Sequence, residues 1–78
     1  MANSKDYEEI FKECLGEEEV NHLSYQDVEA WDSVGHMIIV AALEEKFDIE
    51  MDIDDIIDMS SFEVGKEILS KYGVNFDE

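Results

Sequence analysis

The chain has 78 residues, of which 45% are apolar and 35% are charged, and 22 acidic against 5 basic side chains give a net charge of −17. This length supports one hydrophobic core, and the apolar content is too high for a disordered chain. We therefore expect a single folded domain over residues 1–78 with an acidic surface. Such a surface repels nucleic acids and anionic membranes and attracts basic protein surfaces, so nucleic-acid binding is excluded.

The chain contains one cysteine, Cys14, so no intramolecular disulfide is possible and a reducing cytoplasm is expected. We interpret Cys14 as a small core side chain. The N-terminal residues lack the apolar stretch of a secretory signal, and no segment approaches the roughly 18 apolar residues of a membrane span. We therefore expect a cytoplasmic monomer that does not insert into membranes.

The spacing of apolar residues predicts an all-α fold, a small bundle of three principal helices and one short helix. The first helix is predicted to begin at a cap-like Asp6 and to end at Gly16. From Glu17 to Trp31 the apolar residues follow no regular period. This segment is predicted to be a long loop that places side chains in the core.

The second helix is predicted from about Ser33 to Phe47, with an apolar run that is wider than one helix face. The residues assigned to its core face are Met37, Val40, Leu43 and Phe47, with Ile39 beside them. Val34, Ile38 and Ala41 then form an outward stripe near Ser33, unless the long loop covers it.

Two further helices are predicted after the second one. A short turn of helix covers Asp54 to Ile57, and the last helix runs from a Ser60–Glu63 capping box to Tyr72. A loose tail is expected from Asn75 onward, so that the packed core covers about residues 4–72.

The residues best suited to a chemical function lie at the junction between the long loop and the second helix. Either Asp32 or Ser33 can cap the helix by accepting a hydrogen bond from a backbone N–H. The same helix start offers N–H groups and partial positive charge, which suit a phosphodiester on a serine hydroxyl. Both roles need the same place, and for such residues capping is the commoner of the two.

At these residues the sequence resembles the acyl carrier protein family. Asp32-Ser33-Val34 is similar to the family's Asp-Ser-Leu motif at the start of the second helix. The segment from Leu43 to Phe47 reads Leu-Glu-Glu-Lys-Phe, similar to the family's Leu-Glu-Glu-x-Phe. The resemblance covers roughly residues 4–72 and implies an acyl-carrier-like helical bundle.

The resemblance implies that a phosphopantetheinyl transferase attaches the 4'-phosphopantetheine arm of coenzyme A covalently to Ser33. Asp32 resembles the adjacent residue that the transferase recognises in the family. The arm carries acyl intermediates as thioesters to biosynthetic enzymes of lipid or secondary metabolism, and the chain itself is no enzyme. Acyl-loading and acyl-transfer enzymes with basic or apolar docking surfaces are the implied partners. The expected partner-binding residues are Val34, Ile38, Ala41, Glu44 and Glu45.

Several residues depart from the pattern of fatty-acid-synthesis carriers. Val34 replaces leucine, Gly35 stands where an acidic residue is common, and Ile38 where glutamate is usual. Lys46 also replaces a frequent acid, and Trp31 before Asp-Ser is common in specialised and peptidyl carriers. These departures indicate a specialised carrier, leave a peptidyl or aminoacyl carrier as an alternative, and leave the cargo open.

Other functions are less well supported by the sequence. Asp32, Ser33 and His36 have the residue types of a hydrolase triad, but they lie too close together along one helix to form it. The acidic stretch from Asp48 to Met59 lacks the glycine and final glutamate of a calcium loop, and no His/Cys spacing suggests zinc, so no metal is expected. An unmodified acidic helical module for protein interaction remains the alternative from another class.

Overall fold

The computed structural model describes residues 3–76, and its regular secondary structure over that range is helical. α1 spans Asn3–Leu15, α2 spans Ser33–Phe47, α3 spans Ile53–Asp58 and α4 spans Phe62–Ser70. The predicted small all-α bundle of three principal helices and one short helix is confirmed. None of the helices in residues 3–76 is both long enough and apolar enough to cross a membrane.

Aromatic side chains form the centre of the core. Tyr7 and Phe11 lie four residues apart on one face of α1, and both are fully buried. Their rings pack against each other and against Phe62 of α4 with centroids 4.8 to 5.0 Å apart. Phe11 also meets Trp31 edge-on at 5.4 Å. The aromatic cluster therefore joins α1, α4 and the loop before α2.

The predicted start of the first helix at Asp6 is wrong. α1 already begins at Asn3, and Asp6 lies in its first turn, where its charge favours the helix dipole. The Asn3 side-chain amide donates a 2.8 Å hydrogen bond to the carbonyl oxygen of Asn75, a distant contact that supports the extra residues. Gly16 ends the helix as predicted, with a left-handed φ of +69°.

The long loop packs into the core as predicted. Val20, Leu23 and Trp31 are buried, although they follow no helical spacing. The backbone N–H of Phe62 donates to the Leu23 carbonyl at 3.0 Å, and that of Tyr25 donates to the Ser60 carbonyl at 2.9 Å. These bonds hold the loop against the start of α4.

α2 has its predicted boundaries, but one core assignment is wrong. Ile39, Val40 and Leu43 are buried, whereas Met37 is 52% exposed. A helix turns by about 100° per residue, so Met37 lies nearly opposite Ile39. Phe47 is half-buried and packs on the edge of the core.

The last two helices differ from prediction at their ends. α3 is one residue longer on each side than predicted. The cap of α4 is Ser61, whose hydroxyl accepts from the Val64 N–H at 3.1 Å, so the predicted capping box at Ser60 is wrong. The helix ends at Ser70 rather than Tyr72, and the chain then turns through Gly73, with a φ of +91°.

The prediction of a loose tail is wrong for Asn75 and Phe76. The Phe76 ring meets Tyr7 edge-on at 5.4 Å and Phe47 at 6.3 Å. Val74 before it is buried. The packed domain therefore extends from Asn3 to Phe76, and the rest of the predicted tail, residues 77–78, lies outside the described residues.

Candidate functional site

Asp32, and not Ser33, is the N-cap of α2. Its Oδ1 accepts from the backbone N–H of Gly35 at 2.8 Å, and its carbonyl accepts from the His36 N–H, also at 2.8 Å. The side chain of Ser33, the first helical residue, is exposed. The capping role that the sequence left open between the two residues therefore belongs to Asp32, and the Ser33 hydroxyl has no part in it.

Gly35 fits directly against the loop that leads into α2. It is buried, and a Cβ atom built on it would lie 1.9 Å from the carbonyl oxygen of Ala30. No side chain can occupy this position unless the loop moves. This contact gives a structural reason for one departure from the carrier pattern, the absence of an acidic residue at this position.

The hydroxyl of Ser33 meets the phenol of Tyr25, which the sequence did not suggest as a site residue. The two oxygens lie 3.2 Å apart, and either can be the donor. Tyr25 belongs to the loop, and its ring is 36% exposed. No spacing rule links the two residues, because the folded loop alone brings them together.

Both ring nitrogens of His36 are engaged in hydrogen bonds. The indole N–H of Trp31 can only donate, so the His36 Nδ1, 3.0 Å away, is the acceptor. Nε2 therefore carries the proton and donates to the Ile56 carbonyl at 2.8 Å. In this arrangement neither nitrogen can accept a proton from Ser33, so the triad chemistry considered for Asp32, Ser33 and His36 lacks its base.

A cavity of about 370 Å³ lies beside Ser33, between α2, α3 and the loop. Its lining is mainly apolar. The lining residues are Tyr25, Ser33, His36, Met37, Ile56, Ile57, Met59 and Ser60. The sequence did not place Tyr25, or the lining residues from Ile56 onward, at the site, because only the folded loop and the packing of α3 beside α2 bring them to Ser33.

α3 is attached to the rest of the bundle by polar contacts and by Ile56, which packs against the core, and none of its residues is fully buried. On the side of α4, Lys71 Nζ donates to Asp55 Oδ1 at 2.7 Å, and the Tyr72 hydroxyl donates to Asp55 Oδ2. These bonds, that of Lys71 first, lower the pKa of Asp55. Their contribution to stability is present above the ordinary carboxyl pKa of about 3.9 and is lost as the pH falls through the lowered value.

Replacing His36 by leucine is expected to loosen α3, because the Ile56 carbonyl loses its donor. The loss of this hydrogen bond should speed amide hydrogen exchange in α3 by about tenfold. The exchange of the Ile56 and Met59 amides, which bond within this segment, measures the effect. His22→Leu, at an exposed histidine, is the control. Equal protection of α3 in both variants would contradict the proposed attachment.

The outward stripe on α2 is exposed, as predicted. Val34 and Ile38 are 68% and 54% exposed, and Ala41 is also exposed, so the loop does not cover them. On the neighbouring α3, Ile53 and Ile57 are each 72% exposed, which the sequence analysis did not foresee. Exposed apolar side chains therefore lie on both helices beside the cavity.

Of the two glutamates at the end of the stripe, only Glu45 is exposed. Glu44 is half-buried, and its Oε2 accepts from the backbone N–H of Met51 at 2.9 Å. That bond holds the segment that follows α2. Glu44 therefore has a structural role. Its expected role in partner binding remains a prediction.

No cluster of three or more His, Cys, Asp or Glu side chains in residues 3–76 could hold a metal ion. Comparison of the chain with protein-family models, curated proteins and solved structures finds no match.

Proposed function

We propose that the protein is a specialised acyl carrier protein whose Ser33 bears a 4'-phosphopantetheine arm. The observation that carries the proposal is that Asp32 and Ser33 have separate roles at the start of α2. Asp32 caps the helix, and this leaves the exposed Ser33 hydroxyl available beside an apolar cavity. The resemblance of Asp32-Ser33-Val34 to the carrier motif supports the same assignment.

Loading of the arm is a phosphoryl-type transfer from coenzyme A, catalysed by a phosphopantetheinyl transferase. The Oγ of Ser33 forms a bond to the phosphorus next to the pantetheine, and the pyrophosphate P–O bond breaks. Adenosine 3',5'-bisphosphate leaves with that electron pair, and the Ser33 proton passes to a base of the transferase. When bound, the arm supplies a terminal thiol that holds acyl groups as thioesters, and partner enzymes perform the chemistry.

The cavity favours an apolar acyl group over a charged aminoacyl group as cargo. Met37, Ile56, Ile57 and Met59 line it, and no Asp, Glu, Lys or Arg is among its lining residues. A free ammonium group would gain no counter-charge from these side chains. The same apolar lining can shelter an acyl chain while the carrier moves between enzymes in the cytoplasm, its proposed compartment.

Partners are proposed to dock on the stripe of Val34, Ile38 and Ala41. Exposed apolar side chains grouped on one surface are typical of interaction sites. The net charge of −17 attracts enzymes with basic surfaces, and Glu45 lies exposed near the end of the stripe. Apolar contact then provides affinity, while charge speeds the encounter.

Ile38→Glu is expected to change partner choice with almost no change in melting temperature, because Ile38 is 54% exposed. Acylation by the cognate loading enzyme should fall by about five- to tenfold, the loss typical of a central interface residue. Acylation by fatty-acid-synthesis enzymes should improve, since glutamate is usual there. Ile53→Glu, at an isoleucine of α3 that is 72% exposed, is the control. A large loss of stability, or equal effects of both substitutions, would contradict docking on the stripe.

The proposed function can be tested through the thiol that the arm brings. Cys14 is the one cysteine, and partial burial, with the charge of Glu13, raises the pKa of its thiol. The Cys14→Ser variant has no thiol until it is loaded. Incubation with coenzyme A and a broad-specificity transferase should add one phosphopantetheine to the intact mass and one titratable thiol. If neither appears while a known carrier is loaded in parallel, the protein is an unmodified acidic interaction module.

A further inference from the structure

Tyr25 is held in place by backbone contacts on both sides. Its own N–H donates to the Ser60 carbonyl, and the N–H of Gln26 donates to the Trp31 carbonyl, both at 2.9 Å. Gln26 adopts a left-handed φ of +71°, which few residues other than glycine do. The surroundings therefore fix this turn, and Tyr25 does not belong to a freely moving loop.

The side chain of Tyr25 is also oriented by its neighbours. Its ring meets the His36 ring edge-on, with centroids 5.5 Å apart, and its hydroxyl lies 3.2 Å from Ser33 Oγ. Tyr25 and Ser33 both line the cavity between α2 and α3. The phenol therefore lies next to the atom to which the arm would be attached, and both belong to the lining of the cavity.

Loading changes the hydrogen-bonding chemistry at Ser33. The free hydroxyl can donate or accept, but Oγ of a phosphodiester has no proton and can only accept. Loading also places anionic phosphate oxygens two bonds from Oγ, and hydrogen bonds to such oxygens are roughly twice as strong as neutral ones. Tyr25 remains able to donate, whereas the Nε2 proton of His36 is already engaged by the Ile56 carbonyl.

On the basis of the proposed function, we propose that Tyr25 is a binding residue for the arm. Its hydroxyl donates to the phosphodiester on Ser33 and directs the first atoms of the arm towards the cavity. Because the bond is single and the ring is partly exposed, a partner enzyme can break it when it draws the arm into its own active site. Tyr25 thus favours the position in which the cargo lies in the cavity, and the cargo can still leave it.

The phosphorus nucleus of the arm reports this contact directly. Wild-type protein and the Tyr25→Phe and Tyr72→Phe variants are loaded with coenzyme A and a transferase, and loading is verified by intact mass. The ³¹P chemical shift of each is then measured in the native state and in urea. Tyr25→Phe keeps the ring against His36, and Tyr72→Phe removes a phenol that bonds Asp55 instead. Melting temperatures verify that both variants fold.

In loaded wild type, the native ³¹P signal is expected to differ from the unfolded one. Tyr25→Phe should lose most of that difference, and Tyr72→Phe should keep it. An unchanged native shift in Tyr25→Phe, or no difference between native and unfolded wild type, would overturn the role of Tyr25 while leaving the carrier function intact. Failure of wild type to load would instead overturn the proposed function, and the role of Tyr25 with it.

Discussion

The wild-type protein is expected to lose stability steeply as the pH rises above about 10, because of one buried phenol, Tyr7. Tyr7 is fully buried, and its hydroxyl donates to the Phe62 carbonyl at 2.7 Å. Burial raises the pKa of Tyr7 far above its usual value, and the negative charge of Glu63 adds to the rise. In the unfolded chain, by contrast, the same phenol ionises with an ordinary pKa.

The loss of stability at high pH follows from the difference in proton binding between the folded and unfolded states. The contribution of Tyr7 to stability is fully present below the unfolded pKa of about 10. Above it, the unfolded chain releases the proton and the folded protein retains it, so the free energy of unfolding falls by up to about 1.4 kcal/mol per pH unit from this group.

Tyr7→Phe isolates this contribution. At neutral pH the variant should be less stable by about 1 kcal/mol, the usual net worth of one hydrogen bond. Denaturant unfolding between pH 8 and about 11 should show the two stability curves converging as wild type loses its advantage. Tyr25→Phe, which removes an exposed phenol, serves as the control. Parallel curves for wild type and Tyr7→Phe would show that Tyr7 does not govern alkaline unfolding.

Gly35→Ala is expected to destabilise the protein, although alanine is the better helix former by about 1 kcal/mol. The added Cβ would lie 1.9 Å from the carbonyl oxygen of Ala30, which is backbone and cannot rotate away. Overpacking of this kind costs about 1–3 kcal/mol, so the net effect should be a clear loss.

The matched control for Gly35→Ala is Val34→Ala, one residue earlier on the exposed side of the same turn. That substitution should leave the midpoint of denaturant unfolding almost unchanged, because nothing is overpacked at an exposed position. Equal or greater stability of Gly35→Ala relative to wild type would contradict the close contact between α2 and the loop.

Two helix boundaries that local signals define, the end of α1 and the start of α2, were predicted well. The Asp32 cap fixes the start of α2, and Gly16 ends α1, since both act within a few residues of chain. The start of α4 was misplaced because Ser60 and Ser61 are both plausible caps. The backbone bond from Phe62 to Leu23 decides between them, and that contact is not local.

Other features could not be predicted because they depend on packing between distant segments. The apolar run on α2 has no single apolar face, so its spacing alone could not show that Met37 points outward. Phe76 looked like part of a tail because nothing nearby in sequence reveals its contacts with Tyr7 and Phe47. At the proposed site, the motif made Ser33 the candidate, whereas Tyr25 and the isoleucines of α3 approach it only in the folded chain.

The central claim, that Ser33 carries the arm, is tested most directly by intact mass and peptide mapping after loading. Wild type and Ser60→Ala, which alters another serine of the same cavity, are each predicted to gain one phosphopantetheine, located on the peptide that contains Ser33. Ser33→Ala is predicted to keep its helical circular dichroism and to gain nothing. A full mass gain in folded Ser33→Ala, or an arm mapped to any other serine, would contradict the account.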